Sequence, residues 1–600
     1  MQAVILAAGI GKRLRPLTEK TPKCLVEVNG KPILINTLEN LESRGVDEVV
    51  LVVGYLREKV YERIGYSFGR MKISYVENPD YENTNNVYSL WLARERLDRD
   101  TILLECDTYF EGALLDVLLN DNQHQCQVLL GRFQPYMDGT VVEMNSDSII
   151  QRLIPTRDQL PGLDFSNKFK TVNIYFFSKG FLEQYFLPHL DLYVKNQSIT
   201  AYYEVIIGAL IFYGTPGIHG KVIDGIKWFE IDDEADLARA SYFFSSKSEK
   251  LKHINSLYGG FWRYDFLDFC YLVNLYYPPP SFMKQLQVSL PSLIGNYPSG
   301  MTEITRLIAR AMNLEADMLV VGNGASEIIK ILAESFVKRI TIPTPTFNEY
   351  ENRLKKEQIT YFHMEADNFQ LDPKKFVDTI SRSGSDAALL INPNNPTSML
   401  IRKGDMEFLL DGLRDLELFI IDESFMDFTD PGEYCSVHNM LYQYPNVILV
   451  RSMSKEFGIP GMRIGYAVSS NKEYIARLRN LIPIWNINSI SEHFLEEMPQ
   501  YDKEYRNACD KVRRDRDALF KGLKTIPYLE PYPPAANFIF ARVLEPYTSG
   551  SLMDRLFMEY SILIKDCSNK TGLKRGRYVR IASRNKDDNE KLLKALKELS

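Results

Sequence analysis

Residues 1–25, MQAVILAAGIGKRLRPLTEKTPKCL, decide how the first part of the chain is read. Val4 to Ala8 is a short apolar run ending in small residues and then Gly9, the pattern of a buried parallel strand feeding a tight turn. Gly9 and Gly11 permit close approach of backbone to a ligand. Lys12, Arg13 and Arg15 follow at once, so main-chain N–H groups and three cations converge on one anion. Polyphosphate is the natural occupant. A glycine pair after a strand also fits an ordinary strand-to-helix turn, and what separates the two is Pro22-Lys23-Cys24-Leu25, which adds a second cation just past the loop.

Outward from this stretch, composition sets limits. Six hundred residues exceed one hydrophobic core, so two or more domains are expected. Hydrophobic content of 45% and charged content of 25% are those of a soluble globular chain. A net charge of -7 offers no basic field for nucleic acid, and anionic substrates must be caught by local cations. The seven cysteines are scattered without a CxxC pair, which indicates neither zinc nor disulfides. The N-terminal apolar run has its basic residues after it and is broken by Gly9, unlike a signal peptide, and no apolar run reaches membrane-spanning length. The expectation is a cytoplasmic enzyme, with no nucleic acid or membrane partner.

LAAGIGKRLRPLTEKTPKCL resembles the signature of the sugar-phosphate and choline-phosphate nucleotidyltransferases. The resemblance implies a Rossmann-like α/β domain, a nucleotide held by Leu6, Ala8, Gly9, Gly11, Lys12, Arg13 and Lys23, and catalysis by Arg13 and Lys23. CTP as the nucleotide rests on the resemblance alone.

Further on, helical spacing over Gly30 to Gly45 and strand-like runs at Glu48 to Val53, Lys72 to Val76, Thr101 to Glu105, Gln127 to Leu130 and Thr171 to Phe177 predict an open parallel sheet with ligands at its carboxyl edge. Asp107 follows one of these strands, where it could serve a metal or cap a helix over Thr108 to Leu119. In KWFEIDD, residues 227–233, strand alternation puts Glu230 and Asp232 on one face. By the resemblance, Asp107, Glu230 and Asp232 hold Mg2+. An acceptor oxyanion would attack the nucleotide's α-phosphorus as pyrophosphate leaves, with Mg2+, Lys23 and Arg13 stabilising the charge.

NTNNVYSL, residues 83–90, and TAYYE, residues 200–204, read as a capped helix start and an aromatic helix. Both also resemble the acceptor pocket of choline-type cytidylyltransferases. That implies Tyr175, Tyr202 and Glu204 around an acceptor ammonium, with Asn86 also binding the acceptor and Lys170 at the acceptor's anionic end.

Domain one is expected over residues 1–244, a polar linker over 245–257, and a second domain over 258–600. The decisive motif there is Ser452-Met453-Ser454-Lys455 with Arg463 following in GMRIGY. A lysine flanked by hydroxyls and followed by arginine can form a Schiff base while its neighbours hold a phosphate, as pyridoxal phosphate (PLP) requires. GNGASE, residues 322–327, opens a helix whose amides suit the cofactor phosphate. Asp422 at a strand end suits the pyridinium nitrogen.

Together these resemble the fold-type I aminotransferases, notably the histidinol-phosphate aminotransferase and threonine-phosphate decarboxylase branch: a large α/β domain with a smaller α+β one. The resemblance assigns Ala325, Ser326, Ser452, Ser454 and Arg463 to the phosphate, Phe347 to stacking on the ring, Asn395 to its hydroxyl, and Lys455 to proton shuttling. Tyr297 would reach the phosphate from a partner subunit, implying a homodimer. Arg580 would grip a substrate carboxylate, and an arginine fork suits phosphonate equally. Phe425 stands where such enzymes commonly have a tyrosine that hydrogen-bonds the ring hydroxyl.

The whole chain resembles bifunctional phosphonate cytidylyltransferase/transaminase fusions. The expected reactions are transamination of phosphonoacetaldehyde to 2-aminoethylphosphonate and cytidylyl transfer from CTP to that amine. The alternative pairs phosphocholine or phosphoethanolamine activation with a phospho-amino-acid aminotransferase or decarboxylase. A further alternative is that one domain is a non-catalytic sensor or scaffold, which the completeness of the lysine and acidic sets disfavours.

Overall fold

The strand Gln2–Ala7 is buried at every position, as an unbroken apolar run requires of a strand covered on both faces. It pairs in parallel with Glu48–Val53 on one side and Thr101–Glu105 on the other. The computed structural model describes residues 1–120, 124–134, 137–160, 163–215 and 217–600. Its chain divides into two units, Met1–Gly259 and Gly260–Ser600.

Among the described residues, the first unit is built on a ten-stranded sheet. Side-chain alternation sorts it into two cores: Ile5, Leu51 and Leu104 pack with Leu34, Leu38 and Leu41 on one face, whereas Val4, Val50 and Leu103 pack with Val87, Leu90 and Ile206 on the other. The sheet is mixed, in contrast to the parallel sheet expected from the strand pattern. Phe169–Phe177 runs antiparallel to both Thr101–Glu105 and Cys126–Arg132. The second ladder shifts register between Thr171 and Tyr175, and Asn173 within that interval takes φ 61°.

Two local expectations change. Thr108–Phe110 is a strand paired antiparallel with Trp228–Glu230, and the helix that follows is Ala113–Leu119, with Gly112 as N-cap. Asp107 is therefore not a helix cap; it sits where two strands bring the acidic segment alongside. The polar stretch taken for a linker contains the helix Lys247–Ser256, opened by a Ser246–Glu249 capping box and buried at Leu251 and Ile254. Two apolar residues three apart suffice to seat a turn of helix in an otherwise charged sequence.

The second unit has a seven-stranded sheet among the described residues, in the order Leu319–Asn323, Ile464–Val468, Val447–Ser452, Leu418–Asp422, Ala387–Ile391, Ile340–Thr344 and Ile359–His363. Only Ile464–Val468 runs against its neighbours. A smaller antiparallel sheet of four strands includes Phe538–Val543 and Tyr578–Ala582, the strand that carries Arg580. Among the described residues no helix is long and apolar enough to cross a membrane.

Candidate active sites

In the first unit, the backbone turns at Gly11, whose φ of 67° favours glycine. A Cβ there would also press on Lys23 and Thr18, at 3.1 and 3.2 Å. Thr18 Oγ1 donates to the Gly11 carbonyl at 2.8 Å, which fastens the loop. This geometry brings Gly9, Gly11, Lys12, Arg13 and Lys23 to the wall of one cavity of about 910 Å3. Leu6, Ala8, Asn86, Asp107, Lys170, Tyr202, Glu204, Glu230 and Asp232 line it as well.

The three carboxylates expected at a metal are engaged by cations in this structure. Lys23 Nζ donates to Asp107 Oδ2 and to Asp232 Oδ1, both at 2.8 Å, and Arg13 lies 2.9 Å from the same Asp232 oxygen. Glu230 turns elsewhere: Lys170 Nζ lies 2.9 Å from one of its oxygens and Asn173 Nδ2 donates to the other at 2.8 Å. Among the described residues no three His, Cys, Asp or Glu side chains are grouped to hold a metal ion. The reason is electrostatic, since buried carboxylates must find cations and here two lysines supply them. Burial alone would lower the Lys23 ammonium, but Asp107 and Asp232 hold it well above the usual lysine value. One donor does fit Mg2+. Asp107 Oδ1 is buried without a hydrogen-bond partner, and Mg2+ near a polyphosphate needs one or two protein carboxylates. Asp107 would hold it through that oxygen, while Asp232 and Glu230 are each engaged by cations here.

On the same cavity wall, Glu204 begins the helix Glu204–Phe212 and Glu105 ends its strand; sequence reasoning passed over Glu105 as a site residue. Asn86 bridges the two segments, donating to Glu105 Oε1 at 3.1 Å and accepting from the Tyr203 amide at 2.9 Å. Burial, reinforced by Asp107, Glu204 and Glu230, pushes the Glu105 carboxyl well up. Burial also raises Glu204, although Lys170 opposes it. A ligand ammonium here would be met by carboxyls that gain stability on ionising beside it. Tyr202 reaches the wall, 60% exposed, but Tyr175 does not. It alternates into the core behind, edge-on to Tyr203 at 5.5 Å between ring centroids. Lys170 lines the cavity and is buried and paired with Glu230.

In the second unit, Val447–Ser452 delivers Ser452, Ser454 and Lys455 to the sheet's carboxyl edge. Asp422 lies at the end of the adjacent strand, where Tyr350 Oη and the Ser424 amide both donate to it at 3.0 Å. Tyr350 was not foreseen, being simply an aromatic in a short helix by sequence. Burial raises the Asp422 carboxyl, with Ser424 and Tyr350 opposing. Arg463 Nη2 donates to Ser326 Oγ at 3.1 Å at the start of the helix Ala325–Ser335, which has no side-chain cap. Ser454 Oγ is buried without a partner. An uncapped helix start, an arginine and an unpartnered hydroxyl fit the phosphate of PLP. Burial, then Arg580 and Arg463, press the Lys455 amine down to about 8, which suits a nucleophilic lysine.

Arg580 donates through Nη1 to Asn395 Oδ1 at 2.8 Å and through Nη2 to the Cys270 carbonyl at 2.6 Å, so the two residues assigned to ring hydroxyl and carboxylate meet. Phe347 is 38% exposed. Tyr297 is 79% exposed and stacks on Trp485 at 4.4 Å.

Nucleotidyl transferase matches residues 2–200 and Aminotransferase class I and II matches residues 265–596. The chain is 37% identical over 599 residues to CMP-5'-(3-aminopropyl)phosphonate synthase of Streptomyces rubellomurinus, covering 100% of this chain and 95% of that protein. It is 32% identical over 346 residues to an L-serine phosphate decarboxylase of Campylobacter jejuni, covering 55% of this chain and 87% of the relative. Among solved structures, the histidinol-phosphate aminotransferase of Clostridium acetobutylicum superposes with a TM-score of 0.51 at 30% identity, over 56% of this chain and 98% of that one. A decarboxylase from Sulfurospirillum multivorans gives 0.52 at 30% identity, over 56% and 88%.

Proposed function

This chain belongs to the aminotransferase class I and II family and carries a nucleotidyl transferase region ahead of it, and from that premise we propose a bifunctional enzyme that makes and activates a short aminoalkylphosphonate. The first unit transfers the cytidylyl group of CTP to a phosphonate oxygen and releases pyrophosphate. The observation that carries this reading is a cavity lined both by the basic loop with Lys12, Arg13 and Lys23 and by Glu105 and Glu204. Its cations suit a nucleotide's phosphates and its carboxyls suit a substrate ammonium. The choice of CTP and of a phosphonate is supported by the printed name of the relative similar over its full length.

The second unit produces the amine. PLP, when bound, supplies the electron sink. Arg580 orients a substrate carboxylate, Asp422 meets the ring nitrogen, and Lys455 holds the proton to be delivered to the substrate's Cα. Loss of CO2 from a phosphonate-bearing α-amino acid is the reading we favour, because relatives of this unit include L-serine phosphate decarboxylases. Transamination of phosphonoacetaldehyde to 2-aminoethylphosphonate is the second reading, supported by the family match itself. In either case Tyr297 would face the phosphate of a partner subunit in a homodimer.

Purified full-length protein with CTP, Mg2+ and either aminoalkylphosphonates or phosphocholine tests the first unit through pyrophosphate release. Equal or better turnover of phosphocholine would refute the phosphonate assignment. For the second unit, CO2 release from L-2-amino-4-phosphonobutyrate or L-2-amino-3-phosphonopropionate supports decarboxylation. Amination of phosphonoacetaldehyde without any such release supports transamination instead.

A further inference from the structure

Lys570 lies in the loop between the strands Lys565–Asp566 and Tyr578–Ala582. This loop is fixed over the carboxyl edge of the large sheet. Lys570 Nζ donates to the Thr346 carbonyl at 2.8 Å and to Asn348 Oδ1 at 2.5 Å, the two residues that flank Phe347. Thr571 Oγ1 donates to Glu351 Oε2 at 3.3 Å. Gly572, at φ 78°, lies so close to the strand end that a Cβ would stand 2.5 Å from Thr344 Oγ1. The lysine is thus held against the segment that carries Phe347 by contacts with neutral oxygens.

The charged groups that act on it are of both signs: Arg580 and Lys565 oppose its charge, and Glu351 favours it. Lys565 stands opposite Arg580 across the small sheet, and Arg580, half-buried like Lys570, is hydrogen-bonded by its Nη atoms to neutral oxygens only, while its Nε has no partner. Two cations partly withdrawn from water, neither hydrogen-bonded to a carboxylate, are costly in the absence of a ligand. An arginine fork matches a planar carboxylate, whereas an ammonium serves as a point charge for a tetrahedral anion. We propose that Lys570 binds the phosphonate, or another tetrahedral dianion, at the distal end of the second unit's amino substrate, leaving Arg580 to the carboxylate. The inference rests on the reading that this unit handles an amino acid bearing such a group. Burial and the neighbouring Arg580 push the Lys570 ammonium down to about 8, with Cys567 and Glu351 opposing; a bound dianion would reverse that penalty.

The test uses full-length, PLP-loaded protein and calorimetric binding of two ligands, L-2-amino-4-phosphonobutyrate and L-2-aminobutyrate, which lacks the phosphonate. Lys570→Gln is expected to weaken the first at least about tenfold and leave the second within about twofold, and Lys570→Arg is expected to recover part of the loss. Equal weakening of both ligands would mean that Lys570 only supports the Phe347 segment, and no weakening of either would also overturn the proposal. O-phospho-L-serine as a third ligand separates the two levels of the argument. If wild type binds it in a Lys570-dependent way but ignores the phosphonate, the phosphonate assignment falls and the dianion site stands.

Discussion

Lys23 and Asp107, 84 positions apart in the chain, meet with Nζ 2.8 Å from Oδ2, and Asp232 receives the same ammonium. The pair joins the phosphate loop to the acidic segment, so removal of either partner strands charge in a partly buried site. Lys23→Met is expected to lower cytidylyl transfer by about 100- to 1,000-fold, measured as pyrophosphate release at saturating CTP. Burial alone would raise the Asp232 carboxyl, but Lys23 and Arg13 hold it below its ordinary value. Its stabilising contribution is therefore present above the ordinary aspartate range and lost as pH falls through the lower folded value. Acid unfolding of Asp232→Asn should accordingly be less steep in that window.

Asp107→Ala is expected to abolish cytidylyl transfer while leaving the second unit's reaction unchanged, because the two sites belong to separate units. The checks are pyrophosphate release and amine formation on the same preparation. Loss of both activities in a folded variant would contradict independent sites.

The ion pair of Lys170 with Glu230 predicts a stability effect distinct from catalysis. Lys170 is 2% exposed, and Lys170→Met would leave Glu230, its side chain 20% exposed, with only Asn173 and the surrounding dipoles. The expected loss is about 3–5 kcal/mol, read as a lower denaturant midpoint. Adding Glu230→Gln should restore much of it, since the unpaired charge is then gone.

Lys455 sets a pH dependence in the second unit. With the amine at about 8 in place of its usual value near 10.5, capture of added PLP by the cofactor-free protein should quicken as pH rises through about 8. Borohydride fixation followed by mass analysis at residue 455 provides the readout, and Lys455→Ala should give no fixed cofactor. Removing the Arg580 charge with Arg580→Leu should move the transition upward. Between about 8 and the unfolded value the unfolded chain binds more protons at this site, so its burial penalty is relieved as pH rises through that window.

Gly324 offers a backbone test of the cofactor cradle. Its φ is 70°, and an added Cβ would collide with the Arg463 guanidinium. Gly324→Ala is expected to weaken PLP binding at least about tenfold, measured by fluorescence titration of the cofactor-free protein, with cytidylyl transfer unaffected.

Much of this protein was legible in its sequence wherever the chemistry is contiguous. The loop from Gly9 to Arg13, the strand ends at Asp422 and Ser452, and the SMSK lysine each combine local propensity with a nearby functional group, and the structure delivers them to sheet edges as the strand pattern predicts. What composition and spacing could not carry was partner choice. Strand alternation grouped Glu230 with Asp232, yet one engages Lys170 and the other Lys23, because burial forces each carboxylate onto whichever cation the fold brings near. The same holds for Tyr175, hidden behind the wall it was expected to line, for Glu105, brought beside Glu204, and for Lys570, set 224 positions from the carbonyl it grips. The sequence by itself determined two α/β units and the chemistry of their loops, through periodicity and short-range constraint. Only the tertiary structure decided which charges neutralise one another and which remain to meet a ligand, because desolvation acts on neighbours in space and takes no account of distance along the chain.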